Sequence, residues 1–301
     1  FLRRMSHDIR TPINGIRGMV QIADRFPNDV KKQTECRAKI MRSSDFLLEL
    51  VNDVLDMSKL ESGEMQLEEV PFDLNELLHD VGALLSTQAQ ARGITYTTTM
   101  EDKREKHVIG SPLHLRQIFQ NIGGNAIRYG RAGGYVHVTC SVVSQTEDTV
   151  RYRFICEDNG CGMSEEFQKH MFEPFSQENS GARTTYQGTG LGLSIVKKLV
   201  DAMGGTVTAV SEKGVGTTFI TEIPLKLDPP AFDAEKPEEE TDTAVFRGLH
   251  VLLVEDNEVN MEIAAFLLED SGAEVTKAWN GAEGLEKFSA SAPGAYDLIF
   301  M

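Results

Sequence analysis

The sequence has few cysteines, no long apolar run and no block of basic residues, and each shortage excludes a class of protein. The cysteines, Cys36, Cys140, Cys156 and Cys161, include no CxxC pair. Neither a disulfide framework nor a zinc site is encoded, and free thiols in a reducing cytoplasm are expected. No apolar stretch approaches the length of a bilayer crossing and no signal peptide is visible. The chain opens in mid-helix, so membrane attachment is expected only through segments upstream of it. A net charge of −16 and a pI near 4.9 argue against a nucleic-acid or anionic-membrane surface, because no Lys/Arg cluster is present to collect phosphates. At 301 residues the chain has room for roughly two or three domains.

What is present begins with Phe1 to Ala23. Leu2, Met5, Ile9, Pro12, Ile16, Met19 and Ala23 are spaced alternately by three and four, the seam of a helix that packs lengthwise on others. His7 stands off that seam, about 160° around the helix from both Met5 and Ile9, with Asp8 beside it and Thr11 one turn on. A nucleophile, a carboxylate and a hydroxyl are thus expected to face solvent together. A lone His on a polar helix face is also simply a solvated residue. Pro12 adds weight to a special role, since it cannot donate an N–H to the carbonyl of Asp8 and tends to bend the helix just beyond His7. Over Phe1 to Gly18 the stretch resembles the phosphoacceptor box of sensor histidine kinases, carried by Ser6-His7-Asp8 and Arg10-Thr11-Pro12. That resemblance demands an ATP-binding module further along.

After a Pro/Asn turn at Phe26 to Asp29, a second helix is predicted over about Val30 to Leu60, with Ile40, Leu47, Val51 and Val54 on its apolar stripe. Two such helices cannot bury their stripes alone. A homodimeric four-helix bundle is the expected solution, and a hairpin lying on the next domain is the alternative.

Beyond Ser62-Gly63-Glu64 helices and strands mix. Asp73 caps a predicted helix over Leu74 to Ala91, a strand follows at Ile94 to Met100, and Ser111-Pro112 opens a helix to about Tyr129. Tyr135 to Val143 and Val150 to Asp158 read as an antiparallel pair, and Met163 to Phe172 as a helix capped by Ser164. A helix over Leu191 to Met203 and a hairpin of Thr206 to Val210 with Thr217 to Ile223 complete two layers, helices over a mixed sheet.

Four places carry chemistry. On the strand ending at Asp158, Tyr152, Phe154, Cys156 and Asp158 share one face. An acid at the end of an apolar face needs a partner, and a base edge with an N–H donor suits; a hairpin turn at Asp158-Asn159-Gly160 is the plain alternative. Gly188-Thr189-Gly190-Leu191-Gly192 precedes a helix, where backbone N–H groups and the helix dipole can meet phosphate, although glycine runs also serve as flexible loops. The polar stretch Ser176 to Gln187 before it is positioned to close as a lid. Asn121, Asn125 and Arg128 lie on one helix face and offer two amide oxygens and a cation to magnesium and a polyphosphate, or form a solvated face. Gly214 and Gly216 read as a turn.

In this order the four places resemble the ATP-binding domain of histidine kinases and their gyrase, chaperone and mismatch-repair relatives. The residues carrying it are Asn121, Asn125 and Arg128, then Asp158-Asn159-Gly160-Cys161-Gly162, Phe172-Glu173-Pro174-Phe175, and the glycines at 188, 190 and 192. The resemblance implies that Asp158 holds the adenine amino group, Asn125 the magnesium ion and Arg128 the phosphates. It extends the nucleotide site to Asn121, Tyr129, Gly160, Gly162, Phe175, Gly188, Thr189, Gly190, Leu191 and Gly192. Arg128 stands where Lys is more usual, and Gly123-Gly124 costs about 1 kcal/mol per Gly against Ala, which predicts a softer helix.

The acidic, Pro-containing stretch before residue 248 is a linker. From His250 strands and helices alternate as in a parallel sheet, and Glu255 and Asp256 close the first strand, where they hold magnesium or cap the next helix. The order resembles a response-regulator receiver domain with Glu255 and Asp256 as its acidic pair. By that resemblance position 302 is the phosphate acceptor, and about half a receiver is present.

The expected fold class is therefore α+β multidomain. A helical hairpin (1–62) forms a dimeric four-helix bundle, followed by an α/β two-layer sandwich of the gyrase and histidine kinase type (63–226), an acidic linker (227–247) and an incomplete parallel α/β receiver (248–301). The expected activity is ATP- and Mg2+-dependent phosphorylation of His7, with Asp8 as base or orienting group. Transfer to a receiver aspartate follows, and Thr11 is expected to position water for the reverse, phosphatase reaction. An ATPase doing conformational work and an ATP-free dimer scaffold are the other classes.

Overall fold

The computed structural model describes residues 2–62, 65–101, 107–178, 188–228 and 246–301; for residues 2–4, 7 and 61 it describes the backbone alone. The chain divides into two units, Phe1–Ala231 and Phe232–Met301.

The first unit opens with α1 (Leu2–Arg25) and α2 (Val30–Ser62), joined by the predicted turn. Helix α1 runs unbroken through Pro12, and its seam from Met5 to Ala23 faces inward. The stripe of α2 differs from the expected one. Cys36, Leu50 and Met57 are buried and Ile40, Leu47 and Val54 half-buried, a repeat of four and three, whereas Val51 is 40% exposed. Ile13, Val20, Met41, Leu48 and Leu55 are exposed as well, so the hairpin carries a second apolar face. A partner of Gly15 is close: a Cβ there would lie 3.4 Å from Ser43 Oγ, which sets the register of the pair.

Next come β1 (Val70–Asp73), α3 (Leu74–Gln90), β2 (Thr95–Met100), β3 (His107–Gly110), α4 (Pro112–Arg128), β4 (Tyr135–Gln145) and β5 (Thr149–Asp158). The short α5 (Glu165–Gln168), α6 (Gly192–Ala202), β6 (Thr206–Glu212) and β7 (Gly216–Leu227) follow. The seven-stranded sheet has the order β1-β3-β7-β5-β4-β2, and β6 also pairs with β7. Strand β7 is long enough to hold β6 along Gly216 to Glu222 and β3 at Lys226 and Leu227. Only β2 with β4 is parallel, which fulfils the mixed sheet.

Residues Val150, Tyr152, Phe154, Cys156 and Asp158 of β5 are all buried on one face, as their alternation predicts. Helices α3, α4 and α6 pack over the sheet around Leu77, Leu85, Leu115, Ile118, Ile122, Ile195 and Leu199, and Leu50 of α2 belongs to the same core.

Among the local expectations, the Asp73 cap holds and others change. Asp73 caps α3 by accepting from the N–H of Asn75 at 2.7 Å and of Glu76 at 3.3 Å. Ser111 starts α4 but makes no side-chain cap; its hydroxyl is 2.6 Å from His114 Nδ1. The helix expected over Met163 to Phe172 shrinks to Glu165–Gln168, with Ser164 Oγ accepting from Phe167 N–H. Gly123 is a packing device rather than a soft spot, since a Cβ there would come within 2.5 Å of Leu85 on α3. Strands β1 and β3 were not foreseen, being only four residues each.

The second unit contains β8 (His250–Val254), α7 (Glu258–Asp270), β9 (Glu274–Ala278), α8 (Gly281–Ala290) and β10 (Leu298–Phe300). The three strands are parallel in the order β10-β8-β9, as the alternation of elements predicts. Among the described residues no helix is long and apolar enough to cross a membrane.

Candidate functional site

The predicted chemistry converges on one cavity of about 400 Å³ in the first unit. Its wall takes Asn121, Asn125 and Arg128 from the last two turns of α4, Tyr129 from the cap that ends it, Asp158 from the end of β5, Gly162 from the turn after it, and Gly188, Thr189, Gly190 and Gly192 from the glycine run. The sequence separates these by up to 71 positions (192 − 121), and the sheet brings them together because β5 runs beneath α4 and ends at the start of the loop.

Asp158 is the buried acid of the site. Its Oδ1 accepts from Gly160 N–H at 2.8 Å, and the backbone of Thr217 donates to it as well. Burial pushes its carboxyl above the usual range, and the two backbone donors oppose that shift. The turn after it is wedged in place: Cys161 N–H donates to the Tyr129 carbonyl at 3.1 Å, and Gly214 N–H to the Cys161 carbonyl at 2.7 Å. Gly162, at φ +60°, is required there, because a Cβ would fall onto the Glu212 carbonyl oxygen. The hairpin-turn alternative for Asp158-Asn159-Gly160 does not hold: the chain leaves the sheet at this point. Gly214 and Gly216 are more than a turn, since Gly216 backs directly onto Asp158.

The glycine run opens α6 as predicted. Leu191 N–H donates to Thr189 Oγ1 at 3.2 Å, and the first helical residue, Gly192, lies against Asn121, whose Oδ1 would be 3.2 Å from a Cβ. Residues 179–187, the larger part of the expected lid, lie outside the described residues. Their described flanks meet, with Gln177 Nε2 donating to the Gly188 carbonyl at 2.6 Å. Phe175, at φ +61°, packs its backbone against Gly190.

Not every expected residue forms the wall. Gly160 contributes its N–H to Asp158, while Leu191 and Phe175 are buried in the core behind the cavity. Asp8 and Thr11 lie on α1, Asp8 half-buried and Thr11 exposed; the expected outward display of His7 falls on a side chain outside the described residues. Glu255 and Asp256 belong to the second unit. Glu255 Oε1 accepts from Asn257 N–H at 3.1 Å and from Asn260 Nδ2 at 3.2 Å, the helix-start alternative, and Asn257 is the cap of α7. No group of three or more His, Cys, Asp or Glu able to hold a metal occurs among the described residues.

Sequence reasoning missed part of the site. Met163, Phe167, Met171, Thr217 and Phe219 line the cavity, and so does Glu49 from α2. Glu49 Oε1 accepts from Arg128 at 2.8 Å. Asp53, one turn on, accepts from Thr189 Oγ1 at 2.5 Å, and Asp56 from Gln117 Nε2 at 2.6 Å. The spacing of these acids on one helix face was the available signal.

Residues 110–227 match the family described as histidine kinase-, DNA gyrase B- and HSP90-like ATPase, and residues 1–63 match the His Kinase A (phospho-acceptor) domain. The sensory/regulatory protein RpfC of Xanthomonas campestris pv. campestris is 33% identical over 324 residues, covering 100% of this chain and 44% of that one. The signal transduction histidine-protein kinase BarA of Escherichia coli is 33% identical over 302 residues, covering 100% of this chain and 31% of its own length. The chain thus spans less than half the length of these curated relatives. Among solved structures, full-length ShkA in complex with AMPPNP has 30% identity and a TM-score of 0.57, over 99% of this chain and 58% of that one. The histidine kinase ThkA in complex with the response regulator protein TrrA has 25% identity and a TM-score of 0.56, over 74% and 60%. With a phosphoacceptor hairpin followed by this ATPase fold, the chain belongs to the sensor histidine kinases.

Proposed function

We propose that the chain is the core of a hybrid histidine kinase that transfers the terminal phosphoryl group of ATP to His7 and hands it on to a receiver aspartate. The observation that carries the reading is one cavity joining a buried acid, an arginine and a helix N-terminus, as adenine, polyphosphate and magnesium require. Bound ATP with magnesium supplies the activated phosphoryl group. Asp158 accepts from the adenine amino group, Arg128 and the N–H groups opening α6 hold the phosphates, and Asn125 offers its amide oxygen to the ion.

The register of the hairpin supports the same reading. Gly15 faces Ser43, so position 7, eight residues earlier on α1, is level with about residue 51 of the antiparallel α2. Glu49 and Asp53, which touch the phosphate end of the cavity, flank that level. A neutral ring nitrogen of His7 forms the N–P bond as the bond to ADP breaks, and Asp8 orients the ring and receives the proton from its other nitrogen. Thr11 positions water for the reverse reaction.

The exposed apolar residues Ile13, Val20, Met41, Leu48, Val51 and Leu55 support a homodimer through the hairpin. The parallel β10-β8-β9 order, with Glu255 and Asp256 at the end of β8, supports reading residues 248–301 as part of a receiver. The kinase core works on the cytoplasmic side. The test is γ-labelled ATP: acid-labile label is expected on the wild type and none on His7→Ala, and undiminished label on the variant would overturn the assignment.

A further inference from the structure

Helix α2 places Glu49, Asp53 and Asp56 at i, i+4 and i+7, a single acidic stripe. Two of these acids hold groups that the nucleotide reading needs. Glu49 takes the Arg128 guanidinium at 2.8 Å, and Asp53 takes the hydroxyl of Thr189 in the glycine run at 2.5 Å. Asp56 binds Gln117, which lies outside the cavity wall. A carboxylate on the guanidinium and another on the loop hydroxyl present oxygens and negative charge where a polyphosphate would present the same.

We infer that the acidic stripe of α2 competes with the phosphates of the nucleotide for Arg128 and Thr189, so that docking of the ATPase on the hairpin and binding of ATP oppose each other. The inference rests on the nucleotide reading of the cavity. Phosphate arriving at Arg128 meets the Glu49 carboxylate already at bonding distance, and the two anions compete for one guanidinium and repel each other. Displacement frees α6 and the glycine loop from α2. The opposition is reciprocal: bound ATP weakens the α2 contacts by the same factor by which those contacts weaken ATP. The phosphate end of the cavity is thereby a sensor of how the hairpin is held, since a shift of α2 would part Glu49 and Asp53 from their partners.

The experiment is calorimetric titration of the whole chain with ATP and magnesium. Glu49→Gln and Asp53→Asn, singly and together, should each tighten binding, by about fivefold or more for the pair. Asp56→Asn, which removes the same charge away from the cavity, should change it less than about twofold. Equal or weaker affinity in both single variants overturns the competition. Failure of the wild type to bind ATP at all would instead overturn the nucleotide reading. Glu49→Gln alone, on a side chain 42% exposed, keeps the proposal testable should the double variant fail to fold.

Discussion

Gly216 stands with its α-carbon directly against the backbone of Asp158: a Cβ on the glycine would clash with the Asp158 carbonyl oxygen and come within 2.8 Å of the Asn159 α-carbon. The edge of β7 is thus the floor on which the buried acid rests. Gly214, two residues earlier in the same turn, has open space around its α-carbon and a φ of +84°. The two glycines separate a conformational cost from a steric one. Gly214→Ala should destabilise by about 1–2 kcal/mol through backbone strain alone and leave ATP affinity unchanged. Gly216→Ala should destabilise further and weaken ATP about tenfold by moving Asp158. Thermal unfolding with parallel nucleotide titrations checks both; equal affinities in the two variants would detach β7 from the site.

Asp158→Asn keeps the size of the side chain and removes its charge. The Gly160 and Thr217 N–H groups can still be accepted, so the fold should hold. Loss of a charge-assisted bond to the base should weaken ATP by about tenfold or more. Circular dichroism and calorimetry together read this, and wild-type affinity in a folded variant would remove Asp158 from the adenine site.

Burial is the main cause that raises the Asp53 carboxyl from 3.8 to about 6; the Thr189 hydroxyl and Arg128 lower it, and the charges of Glu49 and Asp56 raise it. An acid raised in the folded state binds more protons there than in the unfolded chain. Its stabilising contribution is complete below about 3.8 and is lost as pH rises through about 6. Carbon-detected NMR should place the Asp53 midpoint near 6. The wild type should also gain more thermal stability than Asp53→Asn between pH 7.5 and 5.5, values chosen on either side of about 6. A midpoint near the ordinary carboxylate value would show that α2 is not docked on the glycine loop in solution.

Leu50 and Val51 are neighbours with opposite fates, one fully buried in the core and the other 40% exposed. Leu50→Ala should cost about 2–5 kcal/mol and lower the unfolding midpoint of the ATPase together with that of the hairpin. Val51→Ala should leave that midpoint nearly unchanged and shift the oligomer equilibrium toward monomer. Differential scanning calorimetry and sedimentation velocity distinguish the two, and the reverse assignment would exchange the inner and outer faces of the hairpin.

Much of the fold was legible wherever period and caps agreed. The three-four seam of α1, the alternation of β5 and the Asp73 cap each carry their structure in a local pattern. The second helix was misread at Val51 because both of its faces are apolar, and periodicity alone does not say which one packs inward. Strands β1 and β3 escaped because four residues give no period and their pairings are distant in sequence, Val70 with Gly110 and Val108 with Leu227. In the site, Asp158, Asn121, Asn125 and Arg128 were readable from residue type and order. Glu49 and Asp53 were not, because an acidic spacing on a helix face becomes a site only once the loop that meets it is in place.

Strand β7 is the last part of the sheet to be made and pairs with β3, β5 and β6. On the ribosome, the hairpin helices and the β4–β5 pair can form early, since their contacts are near in sequence. Asp158 would meanwhile wait about 60 residues for the strand that seats it, and through that interval β5 would expose an apolar face along one open edge. Synthesis would thus complete the nucleotide cavity in one late step, and a nascent chain arrested before residue 216 would carry a phosphoacceptor without a phosphate donor.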